Sequence, residues 1–221
     1  PPSRPFRSGS PSATATRAPT PSVLFMDDFS SKQITLDNGW NLDPGTNVDY
    51  AWSPVKLTIS VKKANWVGSV WPYVDYLDFA VEGEAQPVGA DFAEYGIVFR
   101  VSGQSGTRTY YAFGLKSDGR YYLYQYVAGA WMDKDAVSPT AASQIKQGPA
   151  KNTFGVIVQG NKISLLINRV LVKTVVDDSI TTAGRVGFFA GTGGSNASCS
   201  VAFTKLTVLP VERAKAEWGV P

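Results

Sequence analysis

Apolar residues recur at every second position through much of this chain. Val55, Leu57, Ile59 and Val61 alternate with Lys56, Thr58, Ser60 and Lys62, the pattern of a strand with one face buried and the other in water. Leu77, Phe79 and Val81 repeat it against Tyr76, Asp78, Ala80 and Glu82, and Ile97, Phe99 and Val101 repeat it against Gly96, Val98 and Arg100. No long segment spaces its apolar residues at helical period, so the chain is expected to be all-β. Phe154, Val156 and Val158 run through Gln159, Gly160 and Asn161 into Ile163, Leu165 and Ile167 as a hairpin. Asn168 and Arg169 then turn the chain into a strand over residues 171–176. Gly184 precedes another at 185–190, and a Gly/Ser-rich loop at 191–198 leads into a last strand near 201–208. Strands joined by short turns at this spacing describe an antiparallel sandwich.

The segment from Tyr110 to Tyr126 contains a hairpin at Ser117-Asp118-Gly119. A two-residue turn would put Leu123 on the same face as Lys116 and Gln125. A three-residue turn with Gly119 in the left-handed conformation pairs Lys116 with Arg120 and sorts the side chains better. Tyr111, Phe113, Leu115, Tyr121 and Leu123 then share one face. Tyr110, Ala112, Gly114, Tyr122, Tyr124 and Tyr126 share the other, where small residues on one strand leave room for large rings from its neighbour, as in a ligand groove.

Residues 1–22 are mostly Pro, Ser and Thr with one large apolar side chain, Phe6. They are expected to be a disordered, extended linker, before a domain at 23–209 and a C-terminal tail at 210–221 with a helical turn near 212–217. The net charge of +3 resides in Arg4, Arg7 and Arg17 of that linker; the 18 other basic residues balance 18 acids. A nucleic-acid-binding face is therefore not expected. Cys199 is the only cysteine and histidine is absent, which excludes an intramolecular disulfide, Ser-His triads and histidine-based zinc chemistry. No apolar run approaches the about 20 residues of a membrane span. A start at Pro1 rather than Met leads us to expect a processed product, held at the cell surface or outside the cell through the linker.

Several stretches in order carry a family resemblance: Phe25-Met26-Asp27-Asp28-Phe29, Asn65-Trp66, Glu94-Tyr95-Gly96-Ile97-Val98-Phe99-Arg100, Ser117-Asp118-Gly119-Arg120-Tyr121 and Gly184-Arg185-Val186-Gly187. Over residues 23–209 the chain resembles the concanavalin A-like lectin/glucanase superfamily, particularly the laminin G-like and 3-keto-disaccharide hydrolase-like domains of extracellular bacterial proteins. The resemblance implies a jelly-roll sandwich with a concave sheet, a first strand near 23–29 paired with the last, and carbohydrate binding in many relatives.

Fold does not fix function, so the residues decide. The Glu-x-Asp-x-(x)-Glu run of retaining glucanases, which sets two carboxyls about 5 to 5.5 Å apart, is missing; Asp75/Asp78 and Glu82/Glu84 read as structural or solvated acids. Flat rings suit the C–H faces of sugars, which makes Tyr110, Tyr122, Tyr124 and Tyr126 the first ligand-binding candidates. Arg100 is expected beside them as a hydrogen-bonding neighbour, with Trp66 and Trp71 as secondary candidates. Asp27 and Asp28 are candidate Ca²⁺ ligands, or else formers of a strand-end turn, and Asn196-Ala197-Ser198 matches a glycosylation sequon. The resulting expectation is a non-catalytic module whose partner is a carbohydrate or glycoprotein. A protein-interaction domain in a cell-envelope assembly is the first alternative, and a 3-keto-disaccharide hydrolase-like enzyme the second.

Overall fold

The computed structural model describes residues 22–89, 92–194 and 198–221. The chain begins with β1 (Phe25–Asp27), α1 (Lys32–Asp37), β2 (Val48–Ser53), β3 (Lys56–Val61), β4 (Val67–Val70), β5 (Asp75–Tyr76) and β6 (Phe79–Val88). Next come β7 (Glu94–Ser102), β8 (Thr109–Lys116), β9 (Arg120–Val127), β10 (Ala130–Trp131) and β11 (Val137–Ala141). The remainder is β12 (Asn152–Gln159), β13 (Lys162–Ile167), β14 (Val170–Val176), β15 (Gly184–Gly191), β16 (Cys199–Leu209) and α2 (Val211–Trp218). The back sheet runs β14-β13-β12-β6-β16-β3-β2 with β1 on β16; the front sheet runs β10-β9-β8-β7-β15-β4 with β11 on β9 and β5 on β15. All pairings are antiparallel, and the first strand joins the last through Phe25 opposite Val208.

Period-2 alternation builds the core. Leu57, Ile59, Val61, Phe79, Val81, Phe154, Val156 and Val158 face inward from the back sheet, against Tyr95, Ile97, Phe99, Tyr111, Phe113, Leu115, Tyr121, Leu123 and Phe188 from the front. Each large side chain so buried contributes roughly 1.5–3 kcal/mol. The hairpin takes the three-residue turn: Leu115 lies opposite Tyr121 and Gly114 opposite Tyr122. Gly119 has φ +93°, and its N–H donates to the Lys116 carbonyl at 3.0 Å.

Five expectations fail, four of them where the backbone departs from regular strand. Val55 sits in a turn with φ +64° and is exposed, and Leu77 is exposed ahead of β6 rather than inward with Phe79 and Val81. Arg100, with φ +52°, lies where the β7–β8 register shifts between Phe99 and Ser102. Such an irregularity moves every following side chain to the other face. Arg100 therefore turns inward, at 1% exposure, and Val101 packs on the outward face with Val98 and Ala112. Lastly, Ala80 is not wet: α2 covers it. Val211, Ala214, Trp218 and Val220 pack on Ala80, Ile157, Leu166 and Leu209 of the back sheet's outward face, and Gly219 closes the helix in the left-handed conformation.

No helix among the described residues is long and apolar enough to cross a membrane. Residues 1–21 of the linker and Asn196 and Ala197 of the sequon lie outside the described residues.

Candidate functional site

The outward face of the front sheet is hollowed by its own side chains. Ala112 and Gly114 on β8 stand beside the rings of β9, and a Cβ on Gly114 would come within 2.5 Å of Tyr122 Oη. Tyr122 thus lies across the glycine and is almost wholly buried. Its ring stacks on that of Tyr124 with centroids 4.0 Å apart, and its hydroxyl donates to Glu94 Oε2 at 3.0 Å. Burial first, then the charge of Glu94, pushes that hydroxyl well above its ordinary pKa, so it remains a donor. Glu94 Oε1 accepts from Lys116 Nζ at 2.7 Å, both side chains being 13% exposed.

Tyr110 and Tyr126 face each other across β8 and β9 and stack at 5.0 Å. Trp131 on β10 meets both edge-on, at 5.9 and 4.9 Å, and Tyr124 at 6.0 Å. Burial pushes the Tyr110 hydroxyl up to about 12. The Tyr124 hydroxyl also rises to about 12, through burial and then the charges of Asp135 and Glu94.

Together these side chains border a cavity of about 300 Å³. Val98, Ala112, Tyr122 and Phe189 form its floor, with Tyr110, Tyr124, Trp131, Met132 and Asp135 toward one edge of the sheet and Asn65, Trp66, Val67 and Ser69 toward the other. Both walls are anchored from behind. Buried Thr192 accepts the Trp66 N–H at 3.2 Å and donates to the Lys63 carbonyl at 3.0 Å. Gln125 accepts the Ala136 N–H on Oε1 at 3.0 Å, accepts the Met132 N–H on its carbonyl at 3.0 Å, and donates through Nε2 to Asp177 at 2.7 Å.

Among the residues singled out from sequence, Tyr110, Tyr122, Tyr124 and Trp66 line the cavity. Tyr126 stands behind Tyr110 and Trp131 as support. Trp71 packs beside the hollow, outside its lining, with the Arg108 guanidinium 4.8 Å from its ring. Arg100 is on the wrong side of the sheet. Its guanidinium donates to the carbonyls of Ile180 (2.6 Å), Leu77 (3.2 Å) and Gly160 (2.7 Å), tying the end of the sandwich together. Glu94, Trp131, Met132 and Asp135 were missed. Glu94 is accessible by parity, since it alternates with inward Tyr95 and shares the face of Gly96 and Val98; Trp131 ends a two-residue strand too short to show a period, and Met132 and Asp135 follow it in a loop.

Asp27 and Asp28 build a turn. Asp27 Oδ1 accepts from the Phe29 N–H (2.8 Å) and the Thr35 hydroxyl (3.3 Å), and Oδ2 from the Asn38 amide (2.9 Å). Donors surround this carboxylate where a Ca²⁺ site needs further oxygen acceptors, so the residues present do not fit the ion. Asp28 accepts from the Ser30 N–H at 3.0 Å, and hydrogen bonds from Ser30 hold its carboxyl below the usual range. The other acids noted in the sequence are held by local partners. Asp75 pairs with Arg185 (3.8 Å) and Glu82 with Arg169 (3.0 Å), Glu84 accepts from Lys151 (2.7 Å) and Thr204, and Asp78 accepts the Gly160 N–H (2.9 Å).

No family model matches the sequence, and no curated protein matches it. Among solved structures the chain is similar to the carbohydrate binding module CBM66 from Bacillus subtilis, with a TM-score of 0.61 at 12% identity, covering 78% of this chain and 96% of that one. It is similar to the apo Crh5 transglycosylase, with a TM-score of 0.61 at 13% identity, covering 87% and 88%. A third is a protein of unknown function with a galectin-like fold from Bacillus subtilis, with a TM-score of 0.60 at 12% identity, covering 86% and 97%. At such identities the likeness is one of fold. Two curled antiparallel sheets, with the first strand paired to the last, give this chain a jelly-roll sandwich of the concanavalin A-like fold.

Proposed function

We propose that this domain recognises carbohydrate, without catalysis, through the hollow of its front sheet. The observation that carries the reading is the pairing of flat rings with open polar groups in one cavity: Tyr110, Tyr124, Trp66 and Trp131 beside Asn65, Ser69 and Asp135. Rings of this kind stack on the C–H faces of a pyranose at small entropic cost, while amide, hydroxyl and carboxylate groups take its hydroxyls. Solved structures of this fold include a carbohydrate binding module and a transglycosylase in complex with NAG, which supports the same class of ligand. A cell-surface setting, with residues 1–22 as tether, belongs to this proposal.

One observation favours a second, enzymatic reading, since two carboxyls, Glu94 and Asp135, border the cavity. Glycoside hydrolysis commonly uses such a pair, one member of which must deliver a proton. Glu94 accepts on both oxygens, from Lys116 and Tyr122, which is the arrangement of an anchor. The test is a glycan array probed with the whole chain, in calcium and in chelator, beside Tyr124→Ala and Trp131→Ala. Selective binding that both variants lose supports the module, and product formation abolished by Asp135→Asn would favour the enzyme. Failure to bind any glycan would leave the aromatic face to a protein partner and overturn the proposal.

A further inference from the structure

We infer that the groove takes neutral glycans and turns anionic ones away, with Asp135 as the residue that grips hydroxyls and sets that preference; this rests on the carbohydrate reading above. The described residues bordering the cavity include two carboxylates and neither lysine nor arginine. Glu94 is neutralised by Lys116 at 2.7 Å. Asp135 is half-buried beside Trp131 and Met132 and makes no hydrogen bond or ion pair with the described residues. Its charge nevertheless reaches the cavity, because it acts on the Tyr124 hydroxyl.

A carboxylate so placed has lost part of its water without gaining a donor among the described residues. Two neighbouring hydroxyls of a sugar supply donors to its two oxygens, and hydrogen bonds to an ionised acceptor are the stronger kind. A uronate or sulfate meets the opposite situation. It brings a second negative charge into a partly desolvated groove, where like charges repel more than in water, and finds no guanidinium fork among the described residues bordering the cavity to receive it. The nearby cations already have partners. Lys63 lies over the Trp66 ring at 4.9 Å, Arg108 over Trp71 at 4.8 Å, Lys116 on Glu94, and Arg120, whose charge also reaches the Tyr124 hydroxyl, on Asp118. Asp133 and Lys134, adjacent to Asp135 in the chain, are exposed and of opposite sign.

The experiment compares wild type, Asp135→Asn and Trp131→Ala on an array carrying neutral oligosaccharides beside uronate-containing and sulfated counterparts of matched backbone. Because Asp135 has no hydrogen-bond or ion-pair partner among the described residues, the Asn variant is expected to melt with wild type. Wild type should bind neutral probes alone. Asp135→Asn should weaken that binding roughly tenfold or more and narrow the gap to the anionic probes, while added salt narrows it in wild type. Equal binding of anionic and neutral probes by wild type, or neutral binding unchanged in Asp135→Asn, overturns the inference; the carbohydrate reading then stands if Trp131→Ala still loses binding. Absence of binding to every probe overturns both.

Discussion

Replacing Gly114 with alanine adds one methyl group under the ring that floors the groove, and the structure says what it must cost. The nearest atoms to that methyl all belong to Tyr122, with Oη at 2.5 Å. The ring has nowhere to retreat, because it stacks on Tyr124, lies against Phe189 and is tethered to Glu94. Three contributions set the sign. Removing a glycine from a strand interior stabilises by roughly 0.5–1 kcal/mol. Overpacking costs about 1–3 kcal/mol, and loss of a hydrogen bond to a charged acceptor about 1.5–3 kcal/mol. The net is a destabilisation of about 2–5 kcal/mol, and a displaced Tyr122 fills the groove and lowers glycan binding with it. Urea unfolding followed by tryptophan fluorescence measures the first part, and a double-mutant cycle isolates its cause. In a Tyr122→Ala background the same Gly114→Ala change should be neutral or stabilising by up to about 1 kcal/mol. Wild-type stability in the single variant, or an equal cost in both backgrounds, refutes the account of how the hollow is made.

Arg100→Met leaves the carbonyls of Ile180, Leu77 and Gly160 without their donor and should cost about 3 kcal/mol or more in urea unfolding, with glycan binding retained below the transition; lost binding in the folded variant would return Arg100 to the groove. Burial raises the hydroxyls of Tyr76, Tyr95, Tyr110 and Tyr124 to about 12 from an ordinary 10. The unfolded chain therefore loses these protons first, and their contribution to stability, whole below pH 10, declines as pH rises through about 12; a melting temperature flat from pH 10 to 12 contradicts this. Calcium at a hundredfold excess over a site's Kd would stabilise by about 2.7 kcal/mol. With the Asp27 carboxylate filled by protein donors, melting in calcium and in chelator should coincide, and an upward shift with calcium would reopen that site.

Parity made most of this fold legible, and each misplacement has a local cause. The two faces of the β8–β9 hairpin could be assigned from side-chain type because only the three-residue turn sorts rings from charges, and Gly119 is the residue that turn needs. Strict alternation misplaces Arg100 because it carries a residue across an irregularity without seeing it. Two residues with the same spacing to Phe99 in an ideal strand, Arg100 and Val98, end on opposite faces once the register shifts. Nothing in the composition of that segment announces the shift. The burial of Ala80 was hidden for another reason, since its cover, α2, lies more than a hundred residues away in sequence.

The groove divides along the same line. Its floor is strand, so Tyr110, Tyr122 and Tyr124 could be placed together from spacing alone, and Glu94 could have joined them. One wall carries Trp131 at the end of β10 and Met132 and Asp135 on the connection from β10 to β11, and the other carries Asn65 and Trp66 just ahead of β4. Neither position follows from any period, because each is set by one buried polar side chain from another element, Gln125 for the first and Thr192 for the second. This division has a consequence for recognition. The floor is fixed by the packing of the sandwich and supplies apolar surface that any sugar ring can use. The open polar groups, Asn65, Ser69 and Asp135, stand on or beside the walls, so under the proposed carbohydrate reading discrimination between glycans would reside where two hydrogen-bonded anchors hold irregular backbone in place. Changes to Gln125 or Thr192 should then alter which glycan binds before they alter whether the domain folds.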